Sequence, residues 1–328
     1  MKAAAQTVPF PQVPRLTGAA VLRRFGPLLG LVVLCGVFGG LSEPFRTGEN
    51  AVNVLRQSAV NALLALGQMV VILTAGIDVS VGSILGLCCV LAALLLKAGV
   101  PAVLSILAAL AAGAALGAVN GVLLTKLRLP HPFIPTLGMM NVARGLALVM
   151  AGGLPISDLP VRFRVWGAGT VAGLPVPVIV VGLCYVLGHV FLTRTTPGRD
   201  LYAIGGNARA ALLCGVPVDS RLILAYGFSG LTAGIAAVVL AGRMNSGFPL
   251  AGSGAELDSI AAVILGGGSF FGGVGTAAGT LAGALIMAVL RNGLNLLNVS
   301  AYWQTVMIGV AIVVTVWIDM LRQKAANR

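Results

Sequence analysis

The chain has 328 residues, 58% of them hydrophobic and only 9% charged. A soluble domain carries about 25% charged residues, so these values, with a mean hydropathy of +1.01, exclude a soluble domain and leave an all-α polytopic membrane protein. The formal net charge of +12 does not indicate a nucleic-acid partner, because the basic residues lie in short segments between apolar runs, where membrane topology accounts for them.

Residues 1–25 carry Lys2, Arg15, Arg23 and Arg24 and no acid. This stretch is long and polar, and no small-residue cleavage site follows the first apolar run. It reads as a cytoplasmic arm, not a cleaved signal. A spanning helix needs about 20 apolar residues. Ten runs near that length follow, at 26–42, 52–75, 81–97, 101–124, 133–152, 174–192, 221–242, 257–271, 274–291 and 300–319. Together they make one transmembrane domain over 26–320, with a cytoplasmic tail at 321–328. Glycines interrupt the runs between 257 and 291, which suits half-helices or re-entrant segments.

The basic residues set the orientation. With the N-terminus inside, the cytoplasmic segments hold Lys2, Arg15, Arg23, Arg24, Lys126, Arg128, Arg194, Arg199, Arg209, Arg221, Arg322, Lys324 and Arg328. The outer loops hold Arg46, Lys97, Arg162, Arg164, Arg243 and Arg291, while Arg56 and Arg144 fall within runs. The excess places both termini in the cytoplasm and makes the number of spans even. A faint repeat accompanies this topology. Residues 77–86 read IDVSVGSILG and residues 257–266 read LDSIAAVILG, with Asp78 and Asp258 matched. One string enters the membrane from inside and the other from outside, as inverted five-helix repeats would; shared membrane composition is the alternative. Gly113, Gly117 and Gly121, then Gly275, Gly279 and Gly283, recur at fourfold spacing and predict close helix packing.

Nothing in the chain has the pattern of a catalytic or metal centre. Cys35, Cys88, Cys89, Cys184 and Cys214 lack metal-ligand spacing and read as free thiols. His131 and His189 have no catalytic partner nearby. The glycine-rich stretch 266–275 lacks the Lys and Ser/Thr of a phosphate loop, and no G-x-x-x-x-G-K-[ST] occurs elsewhere, so the chain is expected to hydrolyse no ATP itself. Asp78 and Asp258 stand at span edges, each with a Ser nearby (Ser80, Ser259), and either cap a helix or serve in gating or an ion relay. Asn61, Gln68, Asn120, Asn141, Asn292, Asn295 and Gln304 lie in or beside apolar runs. Neutral amides there either meet a polar solute or bond neighbouring helices.

One polar stretch stands apart. Residues 193–220 carry Arg194, Arg199, Asp200, Arg209 and Asp219 between two apolar runs. Thr196-Pro197-Gly198-Arg199 has the form of a helix start, and Asn207–Leu213 forms a short helix ending at Gly215. A short amphipathic helix with basic ends either sits in a groove of a partner or lies on anionic lipid through Arg199 and Arg209.

TAGIDVSVGS (74–83), TRTTPGRDLYAIGGNARAALLCGV (193–216), ELDSIAAVILGGGSFFGG (256–273), GTLAGALI (279–286) and NGLNLLNVS (292–300) together resemble the ribose-type permease subunits of bacterial ABC importers. That branch carries monosaccharides and the sugar-like autoinducer-2. The collinear match runs from about residue 50 to 320. The resemblance implies an inner-membrane bundle of about ten spans working as a pair, either a homodimer or with a sister permease. It implies ATP-binding subunits on the cytoplasmic face, which bind the only nucleotide, and a periplasmic sugar-binding protein outside. Thr196, Pro197, Gly198, Arg199, Tyr202, Gly205, Asn207 and Arg209 would then form the segment coupled to the ATPase. Asn61, Gln68, Asn120, Asn292 and Asn295 are the candidate substrate path, a choice that rests on their chemistry and not on the family. The rival reading is a gradient-driven secondary transporter of a small polar solute, against which stands the scarcity of acids within the spans.

Overall fold

The computed structural model describes residues 18–326. Residues 1–17 of the expected N-terminal arm, with Lys2 and Arg15, lie outside the described residues, as do the last two of the C-terminal tail. The described residues form twelve α-helices, with a short 3-10 turn at Pro44–Arg46: α1 Gly18–Leu41, α2 Gly48–Ile72, α3 Val81–Lys97, α4 Ala102–Lys126, α5 Phe133–Ala151, α6 Val161–Ala168, α7 Val176–Arg194, α8 Thr196–Leu213, α9 Val218–Met244, α10 Ala255–Leu265, α11 Ala277–Leu296 and α12 Ala301–Ala326. Four two-residue strands accompany them: β1 Ile156–Ser157 pairs antiparallel with β4 Ser246–Gly247, and β2 Thr170–Val171 with β3 Leu174–Pro175.

The chain is an all-α polytopic membrane protein. Each of the ten apolar runs contains a helix, and α2, α4, α5, α7, α9 and α11 are long and apolar enough to cross a membrane. The run expected at 257–271 is corrected. Its helix α10 has 11 residues and stops at Leu265, about 16 Å of rise against a hydrocarbon core of about 30 Å. The cause lies in Gly266 to Gly268. Gly267 takes a left-handed φ of +87°, and Gly266 packs so closely on the Gly279 backbone of α11 that a side chain has no room. Gly275 likewise lies in the connector before α11, so only Gly279 and Gly283 of that row line a helix, packed on Gly266 and Ala262.

Helices α2 and α9 form the centre. From Ala62 to Leu73 α2 and its C-cap are wholly buried, and α9 is buried from Thr232 to Gly242 apart from Ile235. Around them, α4, α5 and α7 turn Val103, Leu104, Leu107, Val149, Leu183, Val186 and Leu187 outward, the surface expected where lipid is the solvent. The contact of α4 with α9 follows the glycine row as expected. A Cβ on Gly113 or Gly117 would overlap the carbonyls of Gly230 and Tyr226, and one on Gly121 would lie 2.5 Å from Ile223 Cα. Gly230 meets Gly113 reciprocally. The backbones touch, so van der Waals contact replaces the hydrophobic drive that lipid cannot supply.

Overpacking a close contact costs about 1–3 kcal/mol. Gly117→Val is therefore expected to lower the detergent unfolding midpoint clearly. Gly145→Ala, where a Cβ meets open space, is expected to leave the midpoint unchanged or raise it slightly, both read by a thiol-reactive dye during heating.

Candidate transport site and coupling segment

Helix α2 ends at Ile72 and α3 begins at Val81, and the chain between them leaves helical geometry deep in the bundle. Ala75 turns it with a φ of +59°. Asp78 lies there with no exposed surface. Its Oδ1 accepts from the Ser80 N–H (2.9 Å) and hydroxyl (2.6 Å), and its Oδ2 from the Ser229 hydroxyl of α9 (2.9 Å). The Ser80 hydroxyl accepts in turn from Asn120 Nδ2 of α4 (2.9 Å). The Gln68 amide spans the Asp78 main chain, donating to its carbonyl (3.0 Å) and accepting from its N–H (3.2 Å). Gln68 and Asn120 thus bond the break itself. Among the described residues no cation pairs with Asp78. Three donors take the place of a counter-charge, which suffices for a buried carboxylate only while all three stay in register. Asp78 closes a turn onto Ser80, the residue that precedes α3, a capping-like geometry. Asp258 is different: it sits in the first turn of α10, and both its oxygens accept from Arg291 Nη2 of α11 (2.7 and 2.6 Å).

At the end of the bundle where α2 starts and α9 ends there is a cavity of about 570 Å³, within the roughly 300–1,000 Å³ typical of small-molecule sites. Asn53, Gln57 and Asn61 face it from one stripe of α2, with Arg56 beside them. Arg243 closes it from α9, and the Asp258–Arg291 pair from α10 and α11. Asn61 Oδ1 and Arg56 Nε are buried and have no hydrogen-bond partner among the described residues. Asn61 is the one expected path amide that lines this cavity. Asn292 exchanges hydrogen bonds with Asn50 (3.0 and 2.9 Å), tying α11 to α2, and Asn295 accepts from Gln304 (2.7 Å), tying α11 to α12. Sequence reasoning missed Arg56, Arg243, Asn53 and Gln57. The spacing of four through 53, 57 and 61 was the available signal.

A smaller cavity, about 420 Å³, opens at the opposite end beside Thr74, Gly76, Arg128, Asp219 and Tyr226. The Tyr226 side chain is wholly buried there. The wholly buried stretch of α2 from Ala62 to Leu73 lies between the two cavities.

The polar stretch 193–220 runs from the last residues of α7 through α8 to the first turn of α9. Thr195, one residue before the expected cap, accepts from the Gly198 N–H (3.2 Å), with Pro197 inside the first turn where its missing N–H costs nothing. Gly198 packs against the α7 backbone at Phe191 and Leu192. Tyr202 donates to the Gly275 carbonyl (2.9 Å), and Gly205 lies against the Leu73 carbonyl and Gly273 N–H. The Gly273 N–H donates to Leu73 O (2.9 Å). One face of α8 therefore rests on both breaks, 73–80 and 266–276. Asn207 interrupts α8 with extended backbone (φ −163°, ψ 100°), and its side chain accepts from the Ala210 N–H (2.9 Å), capping a second piece to Leu213. Gly215 ends the segment in the left-handed region as expected. Arg221 Nε holds Asp200 at 2.7 Å and fixes α8 to the start of α9. Arg199, Arg209, Leu212 and Leu213 are exposed.

Removing one donor from a buried carboxylate costs about 1–3 kcal/mol. Ser229→Ala is expected to destabilise the folded protein by that amount and Asp78→Leu by more, in detergent unfolding. Lys126→Ala, which breaks an exposed 3.7 Å pair with Asp219, is expected to change stability by less than about 1 kcal/mol.

Residues 50–316 match the family described as branched-chain amino acid transport system / permease component. The chain is 45% identical over 308 residues to the ribose import permease protein of Bacillus subtilis (93% of this chain, 95% of that protein). It is 43% identical over 303 residues to the ribose import permease protein of Escherichia coli K12 (90% and 93%). It is also 39% identical over 303 residues to the D-allose transport system permease protein of the same strain (92% and 93%). No solved structure matches it. These findings meet the expectation of a ribose-type permease subunit of an ABC importer and remove the case for a gradient-driven carrier. The chain belongs to this family of transport-system permease components and is a multi-pass transport subunit of the bacterial inner membrane.

Proposed function

We propose that this subunit passes a ribose-like monosaccharide across the inner membrane, driven by a separate ATP-binding subunit that docks on α8. The substrate class is supported by the relatives named for ribose and allose import. The docking reading is carried by one observation: α8 lies on both helix breaks at once, through Tyr202–Gly275 and Gly205–Leu73. Its far piece, 208–213, presents Arg209, Leu212 and Leu213 to a partner, as an amphipathic helix entering a groove does.

The mechanism follows from that placement. A partner that moves on binding ATP displaces α8, with Thr196, Pro197, Gly198 and Arg199 at its near end and the Asn207 hinge at its middle. Tyr202 and Gly205 carry the displacement to the 266–276 connector. The connector ends α10, whose other end holds Asp258 at the larger cavity. Two cavities at opposite ends of a sealed stretch of α2 suit alternating access, with one mouth open at a time. In this scheme Asn61 is a substrate contact, Gln68, Asn120 and Asp78 hold the seal, and Asn292 and Asn295 hold α11 against its neighbours.

The wider assembly belongs to the same proposal. Ten crossings put both termini, the arm over 1–25 and the tail over 321–328 in the cytoplasm, with α8 on that face and the larger cavity towards the periplasm. The excess of Lys and Arg on the α8 side supports this orientation. The meeting of the breaks at 73–80 and 266–276 supports an inverted relation between the two halves. A periplasmic sugar-binding protein feeds the larger cavity, a second permease subunit completes the channel, and the ATP-binding partner supplies the nucleotide site. The exposed apolar faces of α4, α5 and α7 are left for lipid and that second subunit.

With its operon expressed and a tag on Arg328, the permease is expected to bring down an ATPase subunit in mild detergent. Arg199→Glu should lose it. Unimpaired co-purification in that variant would remove α8 as the docking site. Tyr202→Phe is expected to keep the ATPase bound while uptake per ATP falls about fivefold, the worth of roughly 1 kcal/mol of hydrogen bonding.

A further inference from the structure

The larger cavity carries a charge imbalance. Arg56, Arg243 and Arg291 face it, and Asp258 is the one carboxylate among the residues that line it. Asp258 is taken by Arg291 through both oxygens. Arg56 and Arg243 have no acidic partner among the described residues, and Arg56 Nε makes no hydrogen bond at all. The two are neighbours on the cavity wall, where Arg243 Nη1 donates a long bond, 3.5 Å, to the Arg56 main-chain carbonyl. Like charges on one cavity wall repel each other, and a cation within a transmembrane bundle ordinarily has a partner. The cavity is large enough to admit that partner from solution.

The second observation is Asn61 Oδ1, buried at the same cavity and without a donor. An anion alone cannot satisfy it, because an acceptor needs an N–H or O–H. A neutral sugar can satisfy it but leaves the two guanidinium groups uncompensated. From these groups together we infer that the cavity takes a monosaccharide bearing a negative charge, a carboxylate or a phosphate ester, with the anion between Arg56 and Arg243 and a hydroxyl donating to Asn61. Planar guanidinium forks hold either anion by paired N–H···O bonds. The inference rests on the sugar-permease reading above and narrows its substrate class.

Binding to the purified permease in nanodiscs, without the binding protein, tests it. Labelled D-ribonate, D-ribose 5-phosphate and D-ribose are the probes, with inorganic phosphate as competitor. One of the two acids is expected to bind at least about tenfold tighter than ribose, and the tighter one identifies the anion as carboxylate or phosphate. Arg56→Gln should weaken that acid by about tenfold, and Asn61→Leu should weaken it while sparing competition by inorganic phosphate. Arg46→Gln, on an exposed turn and not among the residues lining the cavity, should change nothing. Ribose binding as tightly as both acids, or inorganic phosphate displacing the label as well as the sugar acid does, would overturn the inference. ATPase co-purification is scored on the same preparations. Its presence in wild type with no preference for acids defeats the charged-sugar inference alone, whereas its absence defeats the importer reading.

Discussion

A chain that leaves helical geometry inside a membrane must satisfy the freed backbone groups from its own side chains, because lipid offers none. The segment from Leu73 to Ser80 is where this protein meets that demand. Gln68 takes both main-chain groups of Asp78, and the Asp78 carboxylate takes the Ser80 N–H. Ser229 and Asn120 reach in from α9 and α4. Three helices and the break itself thereby share one small network, and each contributes a group that would be orphaned if another withdrew. Such a network is all-or-none, which suits a seal between two cavities better than a graded contact would.

Glycine makes that network reachable. Asn120 touches Ser80 because α4 and α9 meet at backbone distance through Gly113, Gly117 and Gly230. The same device recurs at Gly266 with Gly279, and at Gly205 with Leu73. At each place a side chain would push apart elements whose polar groups must bond. The glycines in this chain therefore serve close approach more than flexibility. Gly267, Gly272 and Gly273, with left-handed φ, do the complementary work of turning the chain between α10 and α11.

Helix α8 lies against both interruptions of the bundle, and the proposed coupling rests on that placement. Its first half is anchored by Tyr202, Gly205 and the Arg221–Asp200 pair, while its second half, beyond the extended Asn207, buries Ala211 and exposes Arg209, Leu212 and Leu213. Both breaks lie under the anchored half. Interfaces packed this closely shift as rigid bodies and not by gradual deformation. Under the proposed docking, a push on α8 would be delivered to the two places where the helices are already interrupted.

Much of this was legible in the sequence. Composition determined the membrane class, since 9% charge cannot solvate a chain of 328 residues. Apolar run lengths located ten helices, because the hydrocarbon thickness fixes how many residues a crossing needs. The glycine row 113–117–121 and the helix after Asn207 were read correctly from local spacing. Local spacing could not say which amides face a cavity. Asn61 and Asn292 look alike in the chain, yet one lines the cavity and the other is paired with Asn50, 242 residues away. It could not bring Arg56, Arg243 and Asp258 together, or tell the buried hub of Asp78 from the ion pair of Asp258, although the two aspartates sit in similar strings. Partners in a membrane bundle are chosen by which helix faces meet. That choice depends on contacts between distant segments, and only the tertiary structure decides it.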